Sequence, residues 1–377
     1  MNNTYTITHR SDLTTYVRLL SGMLLLLGSV LLTSCDDMVD KTPPTTQLPD
    51  QQEATRLYIL SEGLIHLNNS SLAMYDLATG TTAVDWFAAV NQRRLGDTAN
   101  DLGSYGSKLY LVVSMSGLVE VLDRHTGRSM QQILIHDEQG RSRQPRNITF
   151  YNGFAYVSSF DGTVSEIDTT TLTTTRLTRV GRNPDGIALA NGKLYVSNSG
   201  GLSFPNYDNT LSVIDPLSFR EIKTIEVAAN PFTLQADSEG DLYVVSRGNY
   251  GNQHYQLHRI NTQTDELVQT LEGVHPLNFT IHNDTAWMYS FNHSNGQSSF
   301  QSFDCRTEEL ISDHFITDGT QLQTPFGIAV HPTTGDIFLT DARTYTVKGD
   351  VLCFTRDGKL KYRLQAVGLN PKKVWVE

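Results

Sequence analysis

Aromatic, amide and guanidinium side chains recur at one kind of position along this sequence. Four long segments are rich in them. Asn198 to Asn209 carries Phe204 and Tyr207, and Ser246 to Asn252 carries Arg247 and Tyr250. Ser290 to Gln297 carries Asn292 and His293, and Asp341 to Lys348 carries Arg343. Shorter segments add Arg146, Phe160, Arg182-Asn183-Pro184-Asp185, Asn230 ahead of Pro231, and Phe326 after Pro325. Together these residues supply rigid apolar area edged with hydrogen-bond donors, which suits a flat, partly apolar, amide-rich ligand. Taken singly, each has a plainer reading, because Asn, Asp and Gly shape turns and Tyr and Phe pack.

Catalytic chemistry has no comparable signature. The sequence holds no Gly-x-Ser-x-Gly, no His-Glu-x-x-His and no phosphate-cradling loop. Its eleven histidines are scattered. His254 and His258 share a predicted strand face but stand about 13 Å apart along it. His293 lies in a loop, where exposure is the ordinary explanation. The expectation is a protein that is not an enzyme and requires no cofactor or metal. The net charge of −11 argues against nucleic acid as a partner.

A repeat positions these residues. Turn-prolines stand at 145, 184, 231, 276, 325 and 371, spaced by 39 to 49 residues. Each is followed by a short apolar strand. An aromatic residue then precedes small apolar ones in a second strand, as in LYIL, LYLVV, AYVSS, LYVSN, LYVVS, AWMYS and IFLTD. A third, alternating strand ends in Asp or a polar substitute and a Thr-rich turn, as in AMYDLATG and VSEIDTTTL. Short alternating strands at this period predict an all-β, seven-bladed β-propeller over residues 55–377. The first repeat begins at its second strand, near Thr55, and the last residues, GLNPKKVWVE, supply the missing innermost strand. The C-terminal strand is therefore expected to pair with the N-terminal blade and close the ring, leaving no open edge.

The repeat also sorts the loops by face. Loops entering the innermost strand and loops joining the second and third strands open on one face of a propeller. On this sequence those loops are the long, aromatic and amide-rich ones. Loops of the opposite face, such as Asn152-Gly153 and Asn191-Gly192, are short hairpin turns. Turn chemistry alone does not lengthen one side only. Asp101, Asp185 and Asp341 are candidates for channel carboxylates of the kind that hold calcium in lactone-hydrolysing propellers. Cys305 and Cys353 are read as buried free thiols.

The first 54 residues read differently. Arg10 and Arg18 precede the apolar run Leu19–Leu32, which has the length of a secretory signal rather than a membrane span. Leu32-Thr33-Ser34-Cys35 resembles the lipobox of bacterial lipoproteins. The resemblance implies a signal peptide over 1–34, lipidation of Cys35 and attachment to a membrane. Asp36 and Asp37 resemble the surface-export signal of Bacteroidota lipoproteins, which implies display on the outer membrane. Residues 35–54 carry the Pro- and Thr-rich stretch of a tether.

The blade texture of Gly181-Arg-Asn-Pro-Asp-Gly-Ile-Ala-Leu, Lys193-Leu-Tyr-Val-Ser-Asn and Leu211-Ser-Val-Ile-Asp resembles the YVTN/YncE-type propellers. Leu95-Gly-Asp-Thr-Ala-Asn-Asp-Leu, the segment Asn198–Thr210, Ser246-Arg-Gly-Asn-Tyr-Gly and Thr324-Pro-Phe-Gly-Ile resemble a Bacteroidota subset that includes the BtuG-type vitamin B12-binding lipoproteins. The resemblance spans residues 55–377. It implies capture of cobalamin or another corrinoid and its delivery to a TonB-dependent outer-membrane transporter. Alternatives are another small molecule or a glycan as ligand, or a protein–protein scaffold for an outer-membrane complex.

Overall fold

The computed structural model describes residues 55–251 and 253–377. The expected signal peptide, Cys35 and tether lie outside these residues. The described chain forms seven four-stranded antiparallel sheets. Their innermost strands are Ala99–Tyr105, Pro145–Tyr151, Pro184–Ala190, Pro231–Ala236, Asn278–His282, Pro325–Val330 and Pro371–Val376. The last of these belongs to blade 1, where it pairs with Arg56–Ser61, joining Leu57 to Val376 and Ser61 to Pro371. The ring is thus closed by its two ends, as the repeat requires.

Each sequence landmark has a physical cause. In five blades a proline opens the innermost strand, at Pro145, Pro184, Pro231, Pro325 and Pro371, where its fixed φ and missing N–H are tolerated. The tyrosine of the second strand is buried between blades, and its hydroxyl reaches the neighbour. Tyr58 donates to the Arg124 carbonyl at 2.8 Å, Tyr195 to that of Thr262 at 3.2 Å and Tyr243 to that of Cys305 at 2.8 Å. The aspartate ending the third strand accepts main-chain N–H groups two and three residues on. Asp168, for example, takes those of Thr170 at 2.7 Å and Thr171 at 2.8 Å. These hydrogen bonds hold the carboxyls of Asp76 and Asp168 below their ordinary range, and the Ser218 hydroxyl, with the N–H groups of Ser218 and Leu217, does the same for Asp215.

Blade 1 departs from the pattern. Its outer strand is only Thr82–Ala83, and a helix, Trp86–Asn91, follows it. Asp85 caps that helix by accepting from the Ala88 N–H at 3.3 Å. Trp86 stacks on Tyr58 with ring centroids 5.4 Å apart, so the helix covers apolar surface that a fourth strand covers elsewhere.

Candidate functional site

Within the innermost strands, pairing slips by a residue just after the opening position. The shifts fall between Ala99 and Asp101, Pro145 and Ile148, Pro184 and Ile187, Pro231 and Leu234, and Pro325 and Gly327. A bulge of this kind redirects side chains. Cavities of about 360 and about 340 Å³ occupy the channel, and Asn147, Asp185, Phe232, Thr233 and Gln235 border both. Lys372, Lys373 and Asn100 also line the larger.

Above the channel, the long loops meet. Phe204 and Tyr207 lie 6.2 Å apart, and Tyr207 and Tyr250 lie 5.9 Å apart, both pairs edge to face. Phe204 is 71% exposed and Tyr250 57% exposed, so this arc offers bare aromatic area at the mouth. A second arc runs from Phe291 through His293 at 4.8 Å to Tyr345 at 6.5 Å and on to Phe326 at 6.0 Å. Two guanidinium groups lie over rings: Arg146 over Phe160 at 4.2 Å and Arg247 over Phe232 at 3.3 Å. Of the residues named from the sequence, Phe204, Tyr207 and Tyr250 thus form one group, His293 and Phe326 belong to a second with Phe291 and Tyr345, and Arg146 and Arg247 pack on Phe160 and Phe232.

The amides have a different place. Asn198 is buried, accepting from the Gly181 N–H at 3.1 Å and donating to Thr210 and Ser212 at 3.0 Å each. Asn183 donates to the Phe160 carbonyl at 2.9 Å and accepts from the Leu202 N–H at 3.2 Å. Asn230 is buried in left-handed backbone, its N–H on the Asp208 carbonyl and its carbonyl on the Arg247 N–H. Asn292 closes its own turn on Ser294. Asn198 and Asn183 thus brace the loops through both ends of their amides and Asn230 is buried, while Asn292 is exposed with its side-chain oxygen on Ser294.

Of the three candidate channel carboxylates, Asp101 and Asp185 border both cavities and Asp341 borders neither. Asp341 accepts from the N–H groups of Gln323, Thr324 and Arg343 at 2.8 to 2.9 Å. Asp185 pairs with Arg146 at 3.1 Å, and Asp101 with Lys373 at 3.2 Å. Among the described residues no group of three His, Cys, Asp or Glu side chains is placed to hold a metal ion. Arg182 is tied to Asp208, which fixes the Asn206–Asn209 segment, and Arg343 stands 3.6 Å from Asp350. His258 is buried between Ser246 at 3.1 Å and Thr270 at 2.9 Å, away from His254's exposed loop. Burial pushes its imidazole down to about 4.

Sequence reasoning passed over Lys372, Lys373 and Tyr255. A signal for the lysines was present. Aligning the turn-prolines sets Lys372 in one column with Arg146, Asp185, Phe232 and Phe326.

The fold and this mouth define a seven-bladed β-propeller with an aromatic, cation-bearing opening on one face. The chain belongs to the family described as a domain of unknown function, DUF5074, whose model matches residues 56–363. No curated protein sequence matches it. Among solved structures it is similar to a quinoprotein alcohol dehydrogenase-like protein from Bacteroides thetaiotaomicron. That match has 14% identity, covers 86% of this chain and 78% of that one, and has a TM-score of 0.62. Kuenenia stuttgartiensis hydrazine synthase matches at 15% identity over 72% of this chain and 89% of its own, with a TM-score of 0.57. The dihydro-heme d1 dehydrogenase NirN matches at 12% identity over 87% and 77%, with a TM-score of 0.56. At such identities the likeness is one of fold.

Proposed function

We propose that the protein is a lipid-anchored surface binder that captures a corrinoid, most simply cobalamin, at the aromatic mouth and hands it to a TonB-dependent outer-membrane transporter. The observation that carries this reading is the pair of aromatic arcs around one mouth, opposite a face of tight turns such as Asn152-Gly153. A corrinoid is a broad disc with amide arms. Exposed rings such as Phe204 and Tyr250 offer it flat apolar contact at low entropic cost. The Arg247 guanidinium beside them offers donors to the carbonyls of the amide arms. The resemblance of the loop segments to the BtuG-type proteins and the lipobox-like Leu32–Cys35 supply the ligand class, the anchor and the partner of this proposal.

Calorimetry of residues 36–377 with cyanocobalamin tests it. Sub-micromolar binding is expected, with a negative heat-capacity change from buried apolar area. Replacing Tyr207, Tyr250 and Phe326 together with Ala is expected to weaken binding at least a hundredfold, with the melting temperature within a few degrees of wild type. Absence of heat and of any thermal stabilisation in the wild-type protein overturns the reading.

A further inference from the structure

The channel opening carries more positive charge than its own carboxylates balance. Asp185 is held by Arg146 at 3.1 Å and by the Asn147 amide at 2.9 Å. Asp101 is held by Lys373 at 3.2 Å and by the Ile148 N–H at 3.0 Å. Glu62 lies 3.7 Å from Lys372, whose ammonium also donates to Asn100 at 2.6 Å. Arg247 has no such partner. Among the described residues no carboxylate forms an ion pair with it, whereas Arg146, Lys372 and Lys373 each have one. Its Nε is buried without a hydrogen-bond partner, as is the Nε of Arg146.

Arg247 is nonetheless fixed. Its guanidinium lies 3.3 Å above the centre of the Phe232 ring, and Phe232 lines the channel. The position therefore holds a rigid, planar cation with unused donors, the arrangement that suits an oxyanion. The surroundings are consistent. Burial and the nearby charges of Arg146 and Arg247 hold the Lys372 ammonium below its ordinary range, against the opposing pull of Glu62 and Asp185. Arg247 also acts on the phenols of Tyr255 and Tyr289, which burial raises, and Tyr345 stands close enough to act on Tyr289. These hydroxyls stay protonated and are donors. All this sits in a chain of net charge −11, so the local excess of cations is not a general surface property.

We propose that the channel mouth binds an oxyanion, a carboxylate, phosphate or sulfonate, gripped by Arg247 with Arg146 and Lys372 beside it and Phe232 as its apolar wall. The proposal deepens the reading above and rests on it for the aromatic bed on which the rest of the ligand lies. The oxyanion is either free in solution or borne by that ligand.

The test titrates the protein with pyrene-1-carboxylate, with neutral pyrene-1-carboxamide and with inorganic phosphate. The carboxylate is expected to bind at least tenfold more tightly than the amide, and the preference is expected to shrink in 0.5 M NaCl. Heat from phosphate alone assigns the site to a free anion. Carboxylate preference without phosphate binding assigns it to an anion borne by a larger body. Arg247→Gln is expected to bring the two pyrene probes within twofold of each other, and Lys372→Gln serves the same comparison should the first variant fail to fold. Equal binding of both probes to the wild-type protein, binding of neither, or a preference that survives both substitutions overturns the proposal. Cyanocobalamin is run beside them. Corrinoid binding without carboxylate preference leaves the mouth reading standing and removes the oxyanion site. Carboxylate preference without corrinoid binding does the reverse.

Discussion

At the scale of the residue, the described structure separates side chains that face the mouth from side chains that build it. Arg146, Arg247, Tyr207, Tyr250 and Phe326 belong to the first group, and Asn198, Asn183, Asn230 and Asp341 to the second. His258 is buried with its two ring nitrogens against the Ser246 and Thr270 hydroxyls. Its folded-state value of about 4 lies below the ordinary 6.5, so the unfolded chain takes up a proton that the folded chain refuses. Stability is fully present above pH 6.5 and falls as pH drops from there toward 4, by up to roughly 3 kcal/mol for this group. The loss of melting temperature between pH 7.5 and 4.5 is therefore expected to be smaller in His258→Gln than in wild type, and equal losses contradict the assignment. Composition singled out the loops by their aromatic and amide residues. It did not separate bracing amides from free ones, because an asparagine that caps a loop and one that meets a ligand are the same letter until its partners are known.

At the scale of the element, the innermost strands are held unusually close. A Cβ on Gly186 would stand 2.3 Å from the Phe232 carbonyl of the next blade, and one on Gly327 would stand 2.1 Å from the Lys372 carbonyl. Neither position needs glycine for its turn. Each needs it so that two backbones meet. Gly186→Ala is expected to cost roughly 2 kcal/mol and to shift Phe232, and with it Arg247, away from the channel. Thermal unfolding and the carboxylate titration read the two effects separately, and an unchanged melting temperature would show that the strands yield without strain. The strand order, the aromatic residue of the second strand and the Asx turn after the third strand were all legible, since each recurs in most blades. The helix Trp86–Asn91 was not legible, because it occurs once, is six residues long and takes its stability from Tyr58 and the blade core rather than from its own periodicity.

At the scale of the whole molecule, closure depends on seven residues at one end of the chain. Removing 371–377 strips one side of Arg56–Ser61, uncovers the core around Val374 and deletes the contacts of Glu377 with Tyr58 at 2.6 Å and Arg124 at 2.7 Å. The truncated chain is expected to lose its cooperative melting transition. Adding a peptide of residues 368–377 is expected to restore it by strand addition. A sharp, unaltered transition in the truncated chain would show that the ring stands without its clasp. The incomplete first repeat and the surplus strand at the end made this joint readable in advance. The charge at the channel was readable only in part, because it is assembled from blades 1, 3 and 5, and the proline column that holds Arg146 and Lys372 does not contain Arg247. The same joint has a mechanical side. Arg56–Ser61 is held on one flank by Ser71–Asp76 and on the other by Pro371–Val376, and it runs toward the mouth from the opposite face. A pull on Arg56, directed away from the mouth, loads both ladders along their length. Their hydrogen bonds then resist in parallel instead of opening one at a time, so the ring carries tension through the very strand where its ends meet.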